Sequence, residues 1–283
     1  MRLSEKIEQG EVVEIVGRRV RVRLPDRTEI LPIRAKVVIG DQVEVCNGVV
    51  TEALERKTEL RRGSKAGIRE VCANATALLV VSAALEPPFR PGLVDRVMAS
   101  AEAAGLQGGV ILNKCDQGMP EEVLERIALY EDLGYPVFMV SAIQQKGFEP
   151  LQDFLKAHTT VLVGHSGVGK SSLFNVLVPG GTRVVGTLDE EGRGKHTTTG
   201  GILFDVPTGG RLIDLPGIRE FGLEYVPKKE LRRCFPELAT LQCRYADCLH
   251  NGDGGCLVDA LVEEGTIDLL RLESYRKILG EIS

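Results

Sequence analysis

The run Gly164-His165-Ser166-Gly167-Val168-Gly169-Lys170-Ser171-Ser172 fits the spacing G-x4-G-K-[ST] of a phosphate-binding loop. The apolar stretch Thr160-Val161-Leu162-Val163 precedes it, and Leu173-Phe174-Asn175-Val176-Leu177 continues it. A strand would therefore deliver the loop and a helix would receive it. Glycines in such a loop let backbone N–H groups converge on phosphate oxygens, and the helix N-terminus favours negative charge. Lys170 would reach the β- and γ-phosphates, and Ser171 would ligate Mg2+.

A phosphate loop does not name the base. Asn113-Lys114-Cys115-Asp116 closes a second apolar strand ending at Leu112, at the kind of sheet edge where nucleotides bind. A carboxylate at Asp116 can accept both the ring N–H and the exocyclic amine of guanine, and adenine offers no such donor pair. The stem of Lys114 can cover the base, while the Cys115 side chain need not touch it. After the next strand comes Ser141-Ala142, where a backbone amide can meet the guanine carbonyl oxygen.

Arg211-Leu212-Ile213-Asp214-Leu215-Pro216-Gly217 is a strand running into D-x-x-G. Asp214 would hold Mg2+ through water, and the Gly217 amide would sense the γ-phosphate. Between this motif and the phosphate loop lies Gly194-Lys195-His196-Thr197-Thr198-Thr199. One of its threonines should ligate Mg2+ when GTP is bound. Sequence does not choose among them; we favour Thr198. Ras-type GTPases orient the attacking water with a Gln directly after D-x-x-G. Ile218 stands there and can neither donate nor accept a hydrogen bond. His196 is the nearest polar candidate for a catalytic role beside Lys170; the alternative is that it meets only RNA or solvent.

In small GTPases the base-reading motifs come last; here 113–116 and 141–142 precede 164–172. A parallel sheet tolerates relocated termini if each strand keeps its neighbours, so the order indicates a circularly permuted G domain. The segment after D-x-x-G then leads directly into the C-terminal region.

That region holds Cys243-x4-Cys248-x-His250-x5-Cys256. Three thiolates and one imidazole make a closed tetrahedral shell of the structural zinc type, with Gly252, Gly254 and Gly255 letting the last ligand fold back. The alternative is a group of reduced buried thiols beside a core histidine. Cys46, Cys72 and Cys234 lack such neighbours and read as small core or surface residues.

The elements that must position these groups follow from periodicity. From residue 70 to about 225, apolar runs (77–81, 109–112, 136–140, 160–163) alternate with helical patterns (93–104, 121–132, 148–157), which implies a parallel sheet covered on both faces. Residues 10–50 read instead as short alternating strands with turns at Gly17, Pro25-Asp26 and Gly40-Asp41, a small β-barrel. Arg56–Arg69 reads as a basic linker. An amphipathic helix with Leu269, Leu272, Tyr275, Ile278 and Leu279 on its apolar face ends the chain.

The 283 residues are 43% hydrophobic and 27% charged, an ordinary globular balance that excludes disorder, collagen and coiled coil. No apolar run approaches a membrane span, and no signal core follows the start. A cytoplasmic protein without membrane contact is expected. Seven Cys, unevenly spread, do not suggest a disulfide framework. The net charge of -5 divides into +3 over residues 1–70 and -8 over the rest, so the N-terminal piece is the expected partner of polyanions.

Together the permuted order, the phosphate loop, Asn113–Asp116, Gly194–Thr199, Asp214-Leu215-Pro216-Gly217-Ile218-Arg219-Glu220-Phe221-Gly222 and the Cys243/Cys248/His250/Cys256 set resemble the RsgA (YjeQ) family of small-ribosomal-subunit-dependent GTPases. The resemblance covers nearly the whole chain. It implies an RNA-binding OB-fold over 1–68, a circularly permuted α/β GTPase domain over 69–225 and a mainly helical zinc-binding domain over 226–283. It also implies GTP/GDP binding, one structural Zn2+, and hydrolysis stimulated by the small ribosomal subunit late in its maturation. Three compact domains bury their cores without a partner, so a monomer is expected.

One departure bears on RNA. Residues 1–70 contain no Phe, Tyr or Trp, so bases cannot stack on the barrel as they do on single-strand-binding OB-folds. Contact with rRNA would fall to cations such as Arg18, Arg19, Arg21 and Arg23, unless these form an ordinary solvated strand face. Two competing readings stay open: an ATP-dependent kinase or ATPase on the same loop, against which Asp116 argues, and a non-catalytic RNA-binding scaffold.

Overall fold

The structure, a computed structural model, describes residues 6–63, 67–180, 201–215, 222–252 and 254–282. The chain opens with strands β1 (Ile7–Val16), β2 (Arg19–Arg23), β3 (Thr28–Pro32), β4 (Gln42–Cys46) and β5 (Val49–Ala53). Alternation sorts their side chains: Val20 and Val22 are fully buried between outward-facing arginines. Asn47 (φ 50°) and Gly48 (φ 77°) make the two-residue turn joining β4 and β5, the left-handed pair that tight hairpins require. Antiparallel pairs β1–β2, β2–β3, β1–β4 and β4–β5, with a parallel bridge from Ile33 to Val50, close a barrel in the order 1-2-3-5-4. This is the OB-fold arrangement.

The stretch read as a basic linker is an antiparallel hairpin of β6 (Glu59–Arg62) and β7 (Arg69–Ala73). Leu60 and Cys72 oppose each other and are buried, and two apolar side chains under a charged stretch are enough to dock it. Arg56 bonds the fully buried Asp41 (2.7 and 2.9 Å), and Ala73 N donates to Ile39 O (2.8 Å). Both contacts fasten the hairpin to the barrel.

Next come β8 (Ala77–Ala83), β9 (Gln107–Asn113), β10 (Val137–Met139), β11 (Thr159–Val163), β12 (Ile202–Asp205) and β13 (Arg211–Asp214). The helices between them are α1 (Pro91–Ala103), α2 (Glu121–Asp132), α3 (Phe148–Lys156) and α4 (Lys170–Leu177). The sheet order is β10-β9-β8-β11-β13-β12, parallel except for β12. Leu78 and Val80 pack toward α1 and α2, and Leu79 and Val81 toward α3 and α4. Covering on both faces explains why β8 is apolar without alternation.

Barrel and sheet are continuous. β12 pairs with β1 at Glu14 and Ile202, and Ile15 N donates to Gly201 O (3.3 Å). The barrel core and the α1/α2 face form one cluster.

The chain ends in α5 (Lys228–Leu231), α6 (Pro236–Ala239), α7 (Val258–Glu263) and α8 (Leu269–Glu281) around Leu231, Phe235, Leu238, Leu272 and Tyr275. Of the five apolar positions expected for the last helix, four are buried; Leu269 is 52% exposed in the first turn. The buried place belongs to Arg271, whose charge is met by Asp95 of α1 and Glu237 of α6. All seven cysteines are free thiols, and no described helix is long and apolar enough to cross a membrane.

Candidate functional site

Strands β8, β9, β11 and β13 end on one edge, with Ala83 level with Asn113, Val163 with Val80, and Leu162 with Asp214. The carboxyl edge of a parallel sheet is where ligands bind. The phosphate loop leaves β11 there and turns into α4. Gly164 (φ 151°), Gly167 (φ 85°) and Gly169 (φ 90°) all take values that side chains resist. A Cβ on Gly169 would also strike Nδ2 of Asn113.

Asn113 is 2% exposed. Its Nδ2 donates to Val168 O (2.9 Å), and its Oδ1 accepts from Ala142 N (3.0 Å). One amide thus ties the end of β9, the Gly164–Ser172 loop and the 141–142 segment together. Asn113, expected among the nucleotide contacts, here bonds Val168 and Ala142 through its side chain. Asp116 sits in a short turn spanning Cys115–Gln117 and accepts from Ser141 Oγ, which itself accepts from Gln144 N (3.2 Å). Lys114 holds a left-handed conformation (φ 64°), and its Nζ donates to Glu86 O (2.6 Å). Cys115 turns inward, with Sγ 3.1 Å from Leu112 O, and burial pushes its thiol up.

Lys170 Nζ donates to the carbonyls of Gly164 (2.5 Å) and His165 (2.7 Å), which places the ammonium inside the loop. Lys170 and Asp214 line one small cleft with Leu162, Phe174 and Ile213. Val168 is buried, whereas Ser166, Gly167 and Ser172 are exposed and Ser171 stands at the start of α4. Gly194–Thr199, with His196 and Thr198, and Gly217 with Ile218 lie outside the described residues. A larger cleft of about 530 Å3 opens between β6 and Tyr225–Cys234. Its arginines are already engaged, Arg56 with Asp41, Arg61 with Glu59 and Arg233 with Glu230, and it holds no phosphate-binding backbone.

The second site is the cysteine–histidine cluster. His250 Nδ1 lies 3.4 Å from Cys243 Sγ, 3.7 Å from Cys248 Sγ and 4.0 Å from Cys256 Sγ, with Cys243 and Cys256 4.0 Å apart. A tetrahedron with metal–sulfur bonds near 2.3 Å and metal–nitrogen bonds near 2.0 Å has edges of roughly 3.5–3.8 Å. Four donor atoms within 4.8 Å of one another can hold a metal ion. His250 has φ 55° and no exposed surface, and burial lowers its pKa, which favours the neutral form a metal needs. Backbone N–H groups of His250 (3.4 Å) and Leu257 (3.5 Å) point at the sulfurs of Cys248 and Cys243. Gly252 (φ 86°) and Gly255 (φ 92°) make the turn back to the last ligand. Tyr275 Oη donates to Leu249 O (2.6 Å), fixing the cluster to α8.

The proposed basic row on β2 is half neutralised. Arg21 bonds Glu14 (2.6 Å), and Arg23 grips Asp205 of β12 (2.8 and 3.1 Å). Arg18 and Arg19 are exposed and carry no ion pair among the described residues.

Comparison with known proteins adds sequence and fold relationships. The signature of the RsgA GTPase family matches residues 53–224. The chain is 40% identical to the small ribosomal subunit biogenesis GTPase RsgA of Ectopseudomonas mendocina, over 97% of this chain and 80% of that one. It is 42% identical to the protein of the same name from Pseudomonas fluorescens, over 83% and 70%. The crystal structure of YjeQ from Thermotoga maritima superposes with a TM-score of 0.78 at 28% identity, covering 98% of this chain and 99% of that one. YloQ, a circularly permuted GTPase, shares the fold with a TM-score of 0.74 at 23% identity, covering 98% and 95%.

Proposed function

The chain belongs to the RsgA GTPase family, and from that premise we propose that it hydrolyses GTP as a switch in the biogenesis of the small ribosomal subunit. The observation that carries the reading is the Asn113 amide, which ties the phosphate loop at Val168 to Ala142, next to the Ser141 that bonds Asp116. A kinase would need the loop but not Asp116 and Ser141.

The residues divide the work as follows. Asp116 accepts from the two guanine donors, oriented by the Ser141 hydroxyl; Lys114 covers the ring and the Ala142 region closes its far edge. Backbone N–H groups of Gly164–Ser172 hold the phosphates, and Lys170 exchanges its two loop carbonyls for phosphate oxygens. Ser171, Asp214 and Thr198 would hold Mg2+, which when bound offsets charge on the β- and γ-phosphate oxygens. Gly217 reports the γ-phosphate, and His196 orients the attacking water when a partner is bound, because Ile218 cannot.

The Cys243/Cys248/His250/Cys256 shell is read as a structural zinc site, since three thiolates and an imidazole leave no open position. Residues 1–68, 69–225 and 226–283 are the RNA-binding, GTPase and zinc-binding parts of a monomer that works in the cytoplasm on the small subunit and its rRNA. The test is GTP turnover with and without purified small ribosomal subunits, with ATP as competitor. Turnover that subunits do not raise would sink the switch reading. ATP competing as well as GTP would sink the base assignment. His196→Ala should keep GTP affinity and lose most of the stimulated turnover; a parental stimulated rate would assign the water to another group.

A further inference from the structure

Among the described residues, strand β1 of the barrel meets β12 of the sheet at one residue pair, Glu14 with Ile202, extended by the bond from Ile15 N to Gly201 O (3.3 Å). So short a ladder does little to fix how β12 lies along β1. Four charges fix it instead. In the barrel Arg23 stands opposite Glu11, and in the sheet Arg211 stands opposite Asp205. Their ion pairs cross over. Arg23 bonds Asp205 (2.8 and 3.1 Å), and Arg211 bonds the buried Glu11 (2.5 Å). Thr159 Oγ1 accepts from Nε of Arg211 (3.0 Å), which holds the guanidinium in place. A slip of two residues keeps side chains on their own faces, but it moves β12 by about 7 Å and breaks both pairs.

The other end of the same strand pair bears on the chemistry. Ile202 stands opposite Asp214, and it follows Thr198 by four residues. The two segments read above as holding Mg2+ therefore leave the β12–β13 pair at its open end. Gly201 is buried there, between barrel and sheet. A Cβ on it would lie 2.8 Å from Leu215 Cδ2, 3.0 Å from Ile39 Cγ1 of the barrel and 3.2 Å from Asp214 O. Resting on the GTPase reading above, we propose that Arg23, Glu11, Asp205 and Arg211 are positioning residues for hydrolysis. Their crossed pairs set β12–β13 against the barrel, and so bring Asp214 and the segment of Thr198 to one Mg2+ ion. Arg23, Arg211 and Asp205 are each more than a third exposed or close to it, and ion pairs of that kind contribute little to global stability. Their effect is on geometry, where a displacement of about 1 Å can cost on the order of a hundredfold in rate. A partner that shifts the barrel shifts this strand pair with it.

The test uses two full-length variants. Glu11→Gln/Asp205→Asn keeps side-chain shape and removes both carboxylate charges; Gly201→Ala acts at the other end of the pair. GTP affinity is measured with Mg2+ and in EDTA, and GTP turnover is followed across a Mg2+ titration. In both variants the Mg2+ needed for half-maximal turnover should rise about tenfold, and kcat should fall about tenfold. Affinity for GTP in EDTA, which rests on the phosphate loop and Asp116, should stay within about twofold of the parent's. The thermal midpoint of the charge variant should stay close to the parent's. Arg23→Lys/Arg211→Lys keeps both positive charges and should retain most of the parental Mg2+ response. An unchanged Mg2+ dependence and kcat in the charge variant would overturn the proposal. So would an affinity loss as large in EDTA as in Mg2+, which marks general damage to the sheet. A midpoint that drops while the Mg2+ dependence holds would make the four charges structural only. The gain in GTP affinity that Mg2+ brings decides the positioning without hydrolysis. A parent that shows this gain, reduced in the variants, yet turns over no GTP would sink the hydrolysis reading and leave the positioning standing.

Discussion

Arg271 of α8 and Asp95 of α1 meet at 2.8 Å, and each side chain is only 1% exposed. Glu237 takes the other side of the guanidinium (2.7 Å), the Phe235 ring lies beneath it (4.7 Å), and Tyr130 Oη donates to Asp95 (2.8 Å). Residues from α1, α2, α6 and α8 thus converge on one charge. The cysteine–histidine region is thereby fixed to a helix of the nucleotide-binding sheet, while the chain leaving Gly222 runs between them.

Removing one member of a buried ion pair strands the other, which costs about 3–5 kcal/mol. Arg271→Ala should therefore lower the denaturant midpoint severely. Replacing Arg271, Asp95 and Glu237 together with apolar residues should recover much of the loss, because no partner is then left unpaired. A single-variant cost below about 1 kcal/mol, the range of surface pairs, would show that the cluster is not closed in solution.

Asp268 caps α8 by accepting from Arg271 N (2.9 Å) and bonds Arg126 of α2 (2.6 Å). Burial alone would raise its pKa, but the Arg126 and backbone hydrogen bonds hold it below the usual aspartate value. A depressed folded pKa contributes stability above the unfolded value, near 4, and loses it as pH falls through the folded one. Asp268→Ala should cost about 1 kcal/mol at neutral pH, and the gap from the parent should close below about pH 4. A gap that persists at pH 2–3 would mean that packing, not charge, accounts for it.

Gly169→Ala forces a side chain into a left-handed position already occupied by Nδ2 of Asn113. Losing that amide's hold on Val168 should weaken guanine nucleotide binding by at least tenfold, with little change in global stability. Calorimetry with GDP checks this; parental affinity would show that the loop holds its shape without the Asn113 bridge.

Asp116→Asn replaces one acceptor by a donor opposite guanine's two donors. A stranded buried contact of this kind costs several kcal/mol, so GTP should lose its advantage over ATP in competition. An unchanged preference would move base selection to another residue.

One tightly bound zinc per chain is expected by elemental analysis of protein purified without added metal. Cys248→Ser should abolish it and expose the amides around 243–256 to hydrogen exchange first, with Tyr275 losing its bond to Leu249. Zinc retained at full stoichiometry in the variant would reassign the ligand set.

The family and its GTPase fold were legible in the sequence because phosphate, guanine and metal recognition each call for fixed residue types at short separations. Gly164–Ser172, Asn113–Asp116 and Cys243–Cys256 are local and survive permutation of the chain. Strand and helix periods were legible for the same reason, down to the bounds of α2. What tertiary structure alone decided is what depends on distant neighbours. Arg56–Arg69 has the composition of a linker and becomes a hairpin because Leu60 and Cys72 find a core. Arg23 reads as an RNA ligand and is taken by Asp205, 182 residues away. Arg271, not among the apolar positions read for the last helix, is buried because Asp95 and Glu237 arrive from other elements to neutralise it. A charge's fate depends on the desolvation it suffers and the counter-charge it meets, and both are properties of the assembled fold.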